Sequence, residues 1–234
     1  MVIHMANKQA LFHLLQICDS NFPSGAFSHS FGLETYIQEN KLTNKQEFYH
    51  ALTQYLSLQF IYTDGLACKM VYEAIKSRNI QKVWEIDQEL YALSLAKETR
   101  EGNRRIGRQL VKVMNELYEI HALKDYQNKI KRKEAFGHSA IVFAMVSQHL
   151  QLDVRTALET YLFATTSSLV QNAVRGIPLG QTDGQRVLID SQPFLTELVD
   201  KTLLLDEADF GASSIGLEIA QMIHEQLPVR LFMS

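Results

Sequence analysis

An all-α fold is predicted for this chain of 234 residues from three features of its sequence. Apolar residues recur at three- and four-residue spacing through most of it, and no stretch sustains the alternation of a half-buried strand. Four prolines and eleven glycines leave few places to turn, which favours long helices. In order, Leu11, Leu14, Leu15 and Cys18 share a face, predicting a first helix over about 8–19, closed by a turn cluster around Pro23 and Gly25. Ser28 is placed to cap a second helix running through Gly32, Leu33 and Glu34 to about 39. Thr43 begins a capping-box spacing ahead of a third, rich in Leu, Tyr and Phe, with Asp64-Gly65 as a kink before 66–75 continues. Further helices fit about 80–96, 98–118, 136–150 and 154–174. Thr182 to Gln185 again has capping-box spacing and leads a helix toward 205 that Pro193 is able to split. A last helix over about 215–225 is stopped by Pro228. The expectation is one domain over 1–234, a bundle of about nine to ten helices with a tail from about 226. The charged segment 124–134 reads as an exposed loop.

Composition excludes several classes. Net charge is −3, from 23 basic and 26 acidic residues, so nothing draws the whole molecule toward nucleic acid or membrane. The longest strongly apolar run, Ala140 to Val146, is far short of the ~20 residues of a membrane span. The opening residues lack a basic region followed by an apolar core, so a cytoplasmic location is expected. Cys18 and Cys68 have no CxxC spacing and read as free thiols in a reducing compartment, with a disulfide as the alternative.

Motifs for chemistry are missing. His224-Glu225 is not followed by the second histidine of HExxH. His138 and His149 stand about three helical turns, ~16 Å, apart on one helix, too far to share an ion. There is no P-loop or GxSxG, and Asp209-Phe210-Gly211 lacks the rest of a kinase's signature. No catalytic residue, metal site or cofactor is expected. Lys97, Arg100, Arg104, Arg108 and Lys112 line one helix face, which is either solvated or a patch for phosphates. A helical nucleic-acid-associated regulator resting on that face is the alternative function. An enzyme would instead need a pocket of ionisable groups with perturbed pKa values.

The break at 172–185 is the most informative stretch. Asn172, Arg175, Gln181 and Gln185 crowd around Pro178, Gly180 and Gly184, hydrogen-bonding groups at a helix break with no nucleophile among them. Such a surface suits the grip of a partner. The turn at Pro23, Gly25, Phe27 and Ser28 presents an aromatic between small residues and is a second candidate. The tail ends in apolar residues, and Leu231 and Phe232 must either tuck back or dock elsewhere.

These same segments resemble the UreF family of urease accessory proteins over nearly the whole chain. The resemblance is carried by Ser20, Pro23, Gly25, Phe27, Ser28, Ser30, Gly32, Leu33 and Glu34, then by Asn172 to Arg175, Ile177 to Gln181 and Gly184-Gln185. Met222, His224, Glu225, Arg230, Leu231, Phe232 and Ser234 match the family's ending. The resemblance implies an all-α homodimer without catalysis of its own, joined to a UreD-type (UreH) protein and the GTPase UreG. That assembly places nickel in apo-urease. It also implies that the C-terminal tail engages the UreD-type partner and that UreG docks near the break, with Glu34, His224, Arg230, Leu231 and Phe232 among the partner-binding residues. Arg175 remains open among an arginine finger, an interface anchor and a cap on the preceding helix's carbonyls.

Overall fold

The helix Ser139–His149 (α8) is apolar on every side, and a helix of that kind has to be buried all round. It forms the axis of the computed structural model, which describes residues 8–19 and 21–234, with every residue from Ala140 to Ser147 buried. Ser20, the opening residues read for a leader, and the Leu11 side chain lie outside the described residues. Around α8 pack Asp64–Lys76 (α4), Lys97–Leu117 (α6), His121–Lys131 (α7) and Val154–Gly176 (α9). Lys8–Cys18 (α1) lies against α9, and Gln181–Leu204 (α10) doubles back along α9 and against Lys45–Leu58 (α3). Ile80–Leu93 (α5) backs α4, while the short Leu33–Gln38 (α2) and Ile215–His224 (α11) pair beside α6. Among the described residues there is no strand, and the all-α expectation is borne out.

Several local expectations are corrected. The segment 124–134 is mostly helix: Leu123 and Tyr126 of α7 are fully buried, and two anchors one turn apart suffice for a helix whose other faces are charged. Tyr126 and the main-chain N–H groups of Phe136 and Gly137 all donate to the buried Asp87 carboxylate, which ties α5, α7 and the approach to α8 together. Asn44, not Thr43, caps α3 by accepting from Glu47 N–H at 3.0 Å. A 3-10 turn, Phe60–Tyr62, separates α3 from α4. Ser28 closes the 3-10 turn Ala26–Ser28, and α2 begins only after Gly32. On α1, Ala10, Leu14 and Ile17 form the buried face, whereas Leu15 is exposed. Pro193 does not split α10, because it lies on the solvent side, where water can satisfy the carbonyl it leaves free. Cys18 and Cys68 are both free.

Candidate functional site

Glu34 is the buried charged residue around which the distant segments converge. It stands in the first turn of α2, where the helix N-terminus favours a negative group, and it is 1% exposed. The preceding Gly32 has φ +90, and a Cβ there would come within 2.8 Å of the Gln221 side chain, so only glycine lets α2 approach α11 so closely. Glu34 accepts hydrogen bonds from the main-chain N–H of Leu231 at 2.5 Å and of Phe232 at 3.1 Å. Its Oε2 also lies 2.9 Å from His224 Nε2. The other ring nitrogen of His224 faces Glu98 Oε2 at 2.7 Å, and Arg230 donates to Glu98 Oε1 at 2.6 Å. Both ring nitrogens of His224 are thereby engaged by carboxylates, which tie α11 to α2 on one side and to α6 on the other. Burial opposes ionisation of Glu98, but the hydrogen bonds from His224 and Arg230 outweigh it and hold its pKa below the usual carboxylate range.

The tail follows with bends at 228–229 and 231–232, and its last side chains alternate in burial. Phe232 and Ser234 face inward and are buried, while Val229, Leu231 and Met233 face out at 70%, 58% and 52% exposure. Of the two outcomes open for Leu231 and Phe232, Phe232 tucks back and Leu231 does not. Beyond Glu34 the tail grips the segment 28–31. Met233 N–H donates to Ser28 O at 2.8 Å, and Ser30 and Phe31 N–H donate to Ser234 O at 2.5 and 3.1 Å. His29 Nδ1 lies 2.8 Å from Ser234 Oγ. Burial, then the charges of Arg105 and His224, push the His29 pKa down from 6.5 to about 4. Gly102 of α6 makes this packing possible, since a Cβ there would meet the His29 ring at 2.8 Å and Ser234 Oγ at 3.1 Å.

The break joins the same clasp from below. Arg175 donates to Phe27 O at 2.9 Å, with its guanidinium 5.9 Å from the Phe27 ring centre and 5.0 Å from that of Phe232. It therefore braces the turn against the tail rather than capping its own helix. Asn172 is buried, donating to His29 O at 2.7 Å, so it shapes the surface from beneath. Gly184 is inside α10, where a Cβ would come within 2.7 Å of Val174; its role is close α9–α10 packing, not turning the chain. Gly180 has φ −68, a conformation open to any residue, and no side-chain hydrogen bond caps α10. Pro178, Gly180, Gln181 and Gln185 are exposed around the start of α10, and Pro23 and Gly25 stand at the turn away from Glu34's hydrogen bonds.

Sequence reasoning passed over Glu98, His29 and Gly102. Glu98 was hidden among the basic residues of α6, where it reads as one carboxylate offsetting a stripe. The arginines of that stripe are themselves engaged: Arg100 donates to Ser94 O, Arg104 to Glu101, and Arg108 to Phe136 O. Arg100 and Arg104 also lie over the Tyr91 ring. Among the described residues no three His, Cys, Asp or Glu side chains group as metal ligands, and no helix is long and apolar enough to cross a membrane.

Comparison with known proteins gives these contacts a context. The family model described as UreF matches residues 42–192. A urease accessory protein UreF from Bacillus sp. (strain TB-90) is 54% identical over 224 residues, covering 96% of this chain and 99% of its own. One from Geobacillus kaustophilus is 49% identical, covering 97% and 99%, and one from Ureaplasma parvum is 44% identical, covering 96% of each.

Proposed function

The chain belongs to the UreF family, a non-catalytic accessory protein of urease maturation, and from that premise we propose how its surface serves the accessory complex. In this reading the whole of 1–234 acts as one unit in the cytoplasm, as a homodimer. The docked tail and the exposed face of α11 receive the UreD-type (UreH) partner. The surface around Arg175, Pro178, Gly180, Gln181 and Gln185 receives the GTPase UreG, with Pro23, Gly25, Phe27 and Ser28 adjoining it. Apo-urease is reached through the complex, and nickel insertion follows the GTPase cycle. A non-catalytic protein influences that cycle only through differential affinity, by holding one nucleotide state of UreG more tightly than the other.

The observation that carries this reading is the composite ridge. Val229, Leu231 and Met233 of the tail are exposed, as are Ile215, Ile219, Met222 and Ile223 of α11, a concentration of apolar side chains on two adjoining segments. Fixing the tail through Glu34 removes the ordering cost that a free tail would impose on binding. Arg175, already bonded to Phe27 and stacked on two rings, suits an anchor at an interface better than a finger reaching into a nucleotide site. The rival nucleic-acid role finds little support, since the arginines of the α6 stripe are held by their own chain.

The test is a urease operon lacking this gene. Nickel-poor, inactive urease is expected, restored by the full chain and not by one ending at Leu227. Normal urea hydrolysis without the gene would overturn the role, and full rescue by the shortened chain would overturn the tail's part in it.

A further inference from the structure

A cavity of about 130 Å³, partly open to solvent beside the exposed Phe27 and Leu95, lies among the helices and is lined by Asp64, His138, Tyr161, His29 and Phe31. Its inner side is polar. Tyr161 donates to Asp64 at 3.1 Å, Ser139 Oγ lies 2.9 Å from the Tyr161 hydroxyl, and His138 Nε2 lies 3.8 Å from Asp64. Thr99, only 6% exposed, also lines it, and its hydroxyl has no hydrogen-bond partner in the protein. A space of this size and polarity suits ordered water.

The wall formed by 26–31 does not hold its shape unaided. Phe31 and Gly32 are successive left-handed residues, with φ 51 and 90, and a bulky residue takes that conformation only where its surroundings impose it. From α9 come the bonds of Arg175 to Phe27 O and Asn172 to His29 O. Gln221 of α11 donates to Phe31 O at 3.3 Å, and the tail adds Met233 on Ser28 and Ser234 on His29, Ser30 and Phe31. Phe31, the strained residue of this wall, is thus held by both the tail and α11.

We propose that residues 229–234 are a strap that keeps this cavity narrow: docked on Glu34 they pin the 28–31 wall, and lifted they let it relax and widen the opening to bulk water. This goes beyond the partner reading, because it depends on where the tail lies and not on what binds it.

The two cysteines report on it directly. Cys18 lines the cavity, its thiol pKa pushed up to about 12 by burial, whereas Cys68 is buried in the core outside the cavity lining. Labelling by N-ethylmaleimide is followed at each cysteine by mass spectrometry in the full chain, in Arg230→Ala and in a chain ending at Leu227. Cys18 is expected to label at least tenfold faster in the shortened chain and at an intermediate rate in Arg230→Ala, with Cys68 unchanged. An unchanged Cys18 rate overturns the strap, and so does a parallel rise at Cys68, which signals global opening. Failure to activate urease with Cys18 still protected would sink the strap and leave the partner reading standing.

Discussion

Replacing Glu34 by Gln tests whether the tail is held by one buried carboxylate. The side chain accepts from Leu231 N–H, Phe232 N–H and His224, at 2.5, 3.1 and 2.9 Å. Hydrogen bonds to a charged group contribute about 1.5–3 kcal/mol each, and an amide keeps only one acceptor oxygen while turning an NH₂ toward donors. Losing charge assistance at all three and leaving a donor unpaired is expected to cost about 3–5 kcal/mol. Two of the three donors belong to the tail, so most of that cost falls on tail docking. At 1.4 kcal/mol per decade, 3 kcal/mol raises tail opening about a hundredfold. Hydrogen exchange at the amides of Leu231, Phe232, Ser30 and Phe31, set against those of α8, reads the effect. Protection at those four amides within threefold of wild type would refute the reasoning. Equal loss across α8 would refute its localisation to the tail.

Gly102→Ala should gain up to about 1 kcal/mol of helix propensity and lose about 1–3 kcal/mol to crowding against His29 and Ser234. The net, a loss of up to about 2 kcal/mol, should lower its urea midpoint while exchange at Ser30 rises; a wild-type rate at Ser30 would count against the tight fit. Acid should loosen the clasp. His29 is lowered to about 4, so between about pH 6.5 and 4 the unfolded chain binds a proton that the folded chain does not. Its stabilisation, on the order of 2 kcal/mol after discounting for solvent screening, is present above 6.5 and lost as pH falls toward 4. Glu98, also lowered, adds a loss of the same sign at still lower pH. Denaturation midpoints for wild type and His29→Gln should converge as pH falls through that window; parallel curves would contradict the assignment. Arg175→Ala should weaken UreG binding by about 2–4 kcal/mol and leave single-turnover GTP hydrolysis at saturation nearly unchanged. A thousandfold slower step would identify a finger instead.

Helix order and type were legible where apolar periodicity was strong, as in α5 and α6. The helix α7 was not, because two buried residues, Leu123 and Tyr126, carry it amid charge. The candidate residues were legible as types without their roles. Glu34, His224 and Phe232 were picked out, yet nothing in their spacing shows that a carboxylate 190 residues from a histidine accepts from it. Asn172 and Gly184 read as surface and turn, and both are packing elements, since burial depends on the neighbour that arrives and not on the residue's own polarity.

What this sequence determined alone was local: the helical periods, the helix breaks and the absence of any catalytic signature, all set by interactions within a few residues. Tertiary structure decided which carboxylate is buried, which face of the tail points outward and which glycines are obligatory. Those outcomes depend on contacts between segments as far as 205 residues apart, where only the folded packing determines what meets what.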